Sequence, residues 1–235
     1  MNLRFEELAW SETPMGAISL RRRLEPSLDV DVYEVKLGDE FLMSSLFTVA
    51  EVALAQLGLA DVPGTDLDVV VGGLGLGYTA RAVLEDPRVR SLVVVEALDE
   101  VIRWHEQDLL PDTVGLASDR RTRLLNDDFF AMAADTGFDP ATPERRFDAI
   151  LLDIDHTPRH VLHPSHSAFY TPTGLSRLTR HLRPGGVFAL WSDDPPDADF
   201  QALLATVFAR AESHVVSFPN PLTGGRSANT IYVAG

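Results

Sequence analysis

Val69-Val70-Val71-Gly72-Gly73-Leu74-Gly75-Leu76-Gly77 sets an apolar β-branched triplet directly against a run of glycines. Such a triplet reads as a strand covered on both faces. Glycines after it permit positive φ and let backbone approach a ligand closely. The segment Tyr78–Leu84 then reads as a helix. The turn of this strand–turn–helix unit lies beyond the carboxyl end of a strand, where open α/β sheets bind ligands, and the helix N-terminus there favours a negative group. A dinucleotide fingerprint, G-x-G-x-x-G, would need a small residue at 78, where Tyr78 stands. The spacing present is G-x-G-x-G over Gly73, Gly75 and Gly77, with Gly72 before it. It suits a nucleoside thioether; a tight βα turn with incidental glycines is the alternative.

On either side of this unit the pattern repeats. Leu67–Val71, Leu92–Val95, Arg123–Leu125, Ala149–Leu152 and Val187–Trp191 read as short buried strands. Helical stretches alternate with them, at Tyr78–Leu84, Asp99–Asp108, Asp128–Ala134, Gly174–Leu182 and Asp199–Ala211. Alternation of this kind implies a parallel, doubly wound α/β sheet. The last two strands, Ser213–Phe218 and Thr230–Ala234, flank a connection too short for a crossover helix, so they are expected to pair antiparallel. Five parallel strands closed by an antiparallel hairpin is the Rossmann-like layout of class I S-adenosylmethionine-dependent methyltransferases. Upstream, Ile18–Leu20 and Val30–Leu37 alternate around a turn at Pro26–Asp29, which predicts a small N-terminal β-hairpin with a bulge between Val32 and Tyr33. Ser45 is the expected cap of a helix that ends at Gly58. The expected organisation is a hairpin region over 1–44 and a transferase domain over 45–235.

The chain has 235 residues, enough for a full core without staples, and no cysteine, which removes disulfides, thiolate metal sites and cysteine nucleophiles. Its formal charge of −15 repels nucleic acid and anionic membranes and favours cationic partners. No apolar run reaches the ~18 residues that span a bilayer, and Met1–Trp10 lacks the basic start of a signal peptide, so the expected address is cytoplasmic.

Glu96 ends the second strand and is placed to accept from ribose hydroxyls. Asp128, before Phe129 and Phe130, is either an adenine-side acceptor or a helix N-cap. The fourth strand ends in Asp153-Ile154-Asp155-His156 and the fifth in Asp193-Asp194, so these acids are expected to share one mouth. Carboxylates this close raise one another's pKa unless a cation sits among them, and an amine substrate supplies one. One of them can take the proton of an attacking nitrogen. Solvated loop acids are the alternative. His156 is a second candidate base. His156, His160, His163 and His166 have the spacing of one helical face, but Pro158 and Pro164 interrupt it, so the set reads as a polar lid rather than a metal site.

At these residues the chain resembles the polyamine aminopropyltransferases, the spermidine synthase family. Asp39-Glu40-Phe41 is similar to the family's D-E-[FW], Pro87–Glu96 to its "hPxVxxVxxVE", and Phe147–Asp153 to its "YDVIIxD". The resemblance implies that Gly72, Gly73, Gly75 and Gly77 hold the cofactor's tail, Glu96 its ribose and Asp128 its adenine. It implies that Asp153, helped by Asp155 or His156, is the base, with S-adenosylmethionine or its decarboxylated form as cofactor. The small-molecule acceptor would be a cationic amine, and the chain a homodimer. The family loop G-G-G-D-G-G becomes Gly72-Gly73-Leu74-Gly75-Leu76-Gly77, without the aspartate of the decarboxylated-cofactor site. The polyamine-contacting Tyr and Glu after D-E-[FW] are replaced within Leu42-Met43-Ser44-Ser45. A methyltransferase, or a catalytically inactive binding protein that keeps the fold, therefore stands beside aminopropyl transfer.

Overall fold

The computed structural model describes residues 5–154 and 156–235; Asp155, one of the expected catalytic acids, lies outside them. A small antiparallel sheet comes first: β1 (Phe5–Thr13), β2 (Gly16–Glu25), β3 (Val30–Leu37) and β4 (Glu40–Ser44), in the order β1-β2-β3-β4. The expected hairpin is its centre, β2 with β3, and each partner takes a further strand on its outer edge. The bulge expected at Val32/Tyr33 is absent: β2 and β3 pair without a break from Ile18↔Leu37 to Glu25↔Val30. The register shifts fall instead at Glu7/Ala9 and Val35/Lys36.

Helix α1 (Val49–Ala60) links this sheet to the large one. It starts later than the sequence predicts. Thr48 occupies the cap position, and the Ser45 hydroxyl instead accepts from the Tyr33 amide at 2.9 Å, tying the chain to β3. Gly58 does not stop the helix. It lies where α1 presses on the sheet, and a Cβ there would collide with the Leu151 side chain.

The large sheet holds β5 (Leu67–Gly72), β6 (Val89–Glu96), β7 (Thr122–Asn126), β8 (Phe147–Leu152), β9 (Leu182–Ser192), β10 (Ala211–Asn220) and β11 (Gly225–Ala234), in the order β10-β11-β9-β8-β5-β6-β7. β9, β8, β5, β6 and β7 run parallel, β11 is antiparallel to β9, and β10 to β11. This is the predicted five plus two. The order reverses at β5, so the glycine loop stands at the switch point.

Alternate residues of the same strands feed two cores. Val69, Val71, Leu92, Val94, Ala149 and Leu151 pack with α1, α2 (Tyr78–Glu85), α3 (Asp99–Glu106) and residues of the small sheet such as Ile18, Leu20 and Val35. Val70, Val93, Val95, Ile150 and Leu152 pack with α4 (Phe129–Ala131, running on as a π-turn over Met132–Thr136), α5 (Pro172–Leu178) and α6 (Ala198–Ala205). Among the described residues no helix is long and apolar enough to cross a membrane.

Candidate active site

Two cavities meet at the carboxyl edge of the parallel strands. One, of about 480 Å³, is lined by Phe47, Glu51, Tyr78, Trp191, Asp193 and Asn229 among others. The other, of about 320 Å³, reaches Glu96, Asp127, Asp128, Phe130, His163 and His166. Leu42, Met43, Gly75, Asp153, Ile154 and Leu162 line both and form the partition.

The glycine loop makes that partition narrow. Gly73, Gly75 and Gly77 have φ of +91°, +47° and +87°, in the region that favours glycine. A Cβ on Gly73 would strike the Asp153 carbonyl, and one on Gly75 would strike the Met43 thioether. The loop is held from both sides. The Glu96 carboxylate accepts from the Leu74 amide at 3.0 Å and the Leu98 amide at 2.9 Å. Beneath, His105 Nε2 lies 2.9 Å from the Gly75 carbonyl, and the Thr113 hydroxyl donates to the Leu76 carbonyl at 3.1 Å. Burial pushes the Glu96 carboxyl up against the pull of these amides, and pushes the His105 imidazole down. Glu96 also lines the smaller chamber.

Asp128 does cap α4: its Oδ1 accepts from the Phe130 amide at 2.8 Å and the Ala131 amide at 3.2 Å. It also lines the smaller chamber and is exposed. Phe130 is already covered on one face by His166, with ring centroids 3.9 Å apart. Phe129 lies under Gly72, where a Cβ would meet its ring.

Asp153 leaves β8 beside the loop. Its amide donates to the Gly72 carbonyl at 2.8 Å, and its carboxylate accepts from the Thr79 hydroxyl at 2.6 Å. Burial pushes its carboxyl up. Glu51, from the first turn of α1, lines the same chamber; burial and then the Asp153 charge push its carboxyl up further. Asp193 completes the acidic wall and accepts from the Asn229 side chain of β11 at 2.7 Å. Asp194 lies outside both cavities, contrary to the convergence expected of it; its backbone carbonyl accepts from the Thr230 hydroxyl and its amide donates to the Ser192 hydroxyl.

His156 lines the larger chamber with its Nε2 3.0 Å from a Glu40 carboxylate oxygen, which joins the loop after β8 to β4. The loop histidines fall into two pairs rather than one face: His160 lies with its ring centroid 5.3 Å from that of His156, and His163, which accepts at a 3₁₀ turn, lies 5.9 Å from His166, which is buried against Phe130. Among the described residues no group of three or more His, Asp or Glu side chains is placed to hold a metal ion. Sequence reasoning missed Glu51, Thr79, His105 and Trp191. The only signal for Glu51 was an acid inside an otherwise apolar helix, Val49-Ala50-Glu51-Val52-Ala53-Leu54.

No protein-family model matches the chain. Among curated proteins, polyamine aminopropyltransferase 2 of Pseudomonas aeruginosa is 30% identical over 166 residues, which cover 66% of this chain and 44% of that protein. Putrescine N-methyltransferase 3 of Nicotiana tabacum is 27% identical over 136 residues, covering 57% of this chain and 32% of that protein. The chain thus spans less than half the length of these curated relatives. Among solved structures, a spermidine synthase in complex with the transition state analogue AdoDATO superposes with a TM-score of 0.70 at 18% identity, over 97% of this chain and 72% of that one. Its likeness extends to the small antiparallel sheet as well as the large one, since it covers nearly the whole chain. In sequence the chain is thus similar to the polyamine aminopropyltransferases, and its fold is that of a spermidine synthase, an α/β sheet of the class I methyltransferase type.

Proposed function

We propose that this chain is a transferase that binds S-adenosylmethionine or its decarboxylated form in the smaller chamber and moves an alkyl group to an amine in the larger one. The observation that carries the reading is the position of Asp153, a raised carboxyl on the partition between the two chambers. Glu96 meets the ribose, Asp128 the adenine edge, and Gly72, Gly73, Gly75 and Gly77 the tail, where the cradle leaves no room for a side chain. The bound sulfonium supplies an electrophilic carbon: the acceptor nitrogen bonds to it, the carbon–sulfur bond breaks, and its electron pair leaves on a neutral thioether. Asp153 takes the proton that the nitrogen sheds, and Thr79 orients the carboxylate. His156, held by Glu40, lines the acceptor side, and Asp155 follows Asp153 in sequence as a further acid. The rest of the acceleration is alignment of nitrogen with carbon.

Among the described residues the acceptor chamber is lined by three acids and by no lysine or arginine. A tail without a carboxylate, and so aminopropyl transfer, fits that field. One observation favours methyl transfer instead. The Met43 thioether fills the space at Gly75, where the spermidine synthase pattern carries its loop aspartate, and one relative is a putrescine N-methyltransferase. Calorimetric titration with both cofactors, followed by chromatography of products formed with a panel of amines, decides between the two. Tighter binding of the decarboxylated form and an aminopropylated product support the first reading. A methylated amine supports the second, and no product from any amine supports an inactive binding protein. The reading carries with it a cytoplasmic address and a homodimer.

A further inference from the structure

We infer that Glu51 is the residue that selects the acceptor: its carboxylate takes the ammonium group of an amine entering the larger chamber. The inference rests on the transferase reading and names its specificity residue. The family likeness assigns acceptor contacts to positions that are here Met43 and Ser45, and neither carries charge. Ser45 is moreover spent on the fold, accepting from the Tyr33 amide at 2.9 Å. The charge enters instead from α1, on the opposite wall.

Glu51 has no structural occupation. Two buried acids at the other edge of the sheet are neutralised: Asp68 faces Arg90, Arg145 and Arg183, and Asp139 faces Arg123 and Arg145. Among the described residues no arginine, lysine or histidine forms an ion pair with Glu51, and no neighbouring donor bonds its side chain. The groups that face it are Asp153 and Asp193 from the ends of β8 and β9 and Tyr78 from α2, with His156 in the same chamber. Two of these are acids and repel its charge. A half-buried carboxylate among like charges is disfavoured until a cation arrives. The rest of the wall suits the remainder of an alkylamine. Phe47, Tyr78, Trp191 and Phe218 offer ring surface to methylenes and to an ammonium face. The class of ligand is therefore a primary alkylammonium, read by charge at Glu51 and by apolar contact beyond it.

The test is calorimetric titration of the protein with 1,4-diaminobutane and with n-butylamine, each with and without 5′-methylthioadenosine. The proteins are the wild type, Glu51→Gln and Glu51→Asp. Glu51→Gln is expected to weaken amine binding at least about tenfold while the affinity for the adenosyl compound stays within about twofold, because the lost contact is a partly desolvated charge pair. Glu51→Asp keeps the charge and is expected to restore part of the loss. Thermal melts confirm that both variants fold. Amine affinity unchanged in Glu51→Gln overturns the inference, as does a wild type that binds neither amine. Failure of the adenosyl compound to bind brings down the transferase reading instead, and the titrations without it still decide the role of Glu51.

Discussion

The two edges of the large sheet treat their carboxylates in opposite ways. At the amino edge Asp68 is 1% exposed and collects Arg90, Arg145, Arg183 and the Ser91 hydroxyl. Asp148 beside it accepts from Arg183 and from the Asp68 amide, while Arg145 also reaches Asp139. Although burial opposes it, the three guanidiniums and the hydroxyl hold the Asp68 carboxyl down at about 2. At the carboxyl edge Glu51, Asp153 and Asp193 share a cavity that, among the described residues, no guanidinium lines, and burial pushes the first two up. Carboxylates are cement at one edge of the sheet and an incomplete set at the other. Burial alone does not distinguish structure from function; the presence or absence of the counter-charge does.

Breaking the open edge should cost the most. Asp153→Asn is expected to lower turnover by roughly 10²–10⁴-fold, the range of a lost general base, while leaving adenosyl affinity nearly intact. Steady-state rates beside calorimetry check it, and a variant of wild-type activity would remove Asp153 from the mechanism. Gly73→Ala should come next. Its Cβ would strike the Asp153 carbonyl at a φ of +91°, so cofactor affinity is expected to fall by about tenfold or more. Breaking the closed edge should cost stability without chemistry: Asp68→Asn is expected to lose about 2 kcal/mol in urea unfolding, from charged hydrogen bonds, with kcat unchanged.

The smallest effect is the sharpest comparison. Glu51 and Asp153 bind their protons more tightly folded than unfolded, so their edge loses stability as pH rises above the ordinary carboxylate range. Asp68 is the reverse: its contribution is complete above its ordinary value and is lost as pH falls toward about 2. Glu51→Gln is therefore expected to raise the melting temperature by a few degrees near pH 8, with the gain fading toward pH 4. Asp68→Asn should flatten the acid limb instead. Melting curves across pH that move together in both variants would erase the contrast between the edges.

Much of this was legible in the sequence because it is local. Val69–Val71 against glycines, Glu96 at a strand end and Asp153 at another follow from periodicity and position along the chain. What failed depended on distant partners. Ser45 looks like a helix cap, but the Tyr33 amide claims its hydroxyl across the small sheet. Gly58 looks like a stop, but the close approach of Leu151 uses it in mid-helix. The outer strands β1 and β4 carry weak alternation because one face of each is only half covered, so only the central hairpin was visible. Asp193 and Asp194 are equivalent in sequence; the register of β11, which brings Asn229 beside the first, separates them. Glu51 could not be placed from pattern, since which side of α1 faces the strand ends is a matter of docking.

That docking has a mechanical corollary. Gly58 is the point where α1 rests on β8, and Glu51 lies seven residues away, about 10 Å along the helix axis. The contact is a fulcrum and the carboxylate rides the free arm. A methyl group added at 58 would tilt the arm and change the gap between Glu51 and Asp153 from a layer no ligand reaches, so the breadth of accepted amines can be retuned without editing the cleft itself.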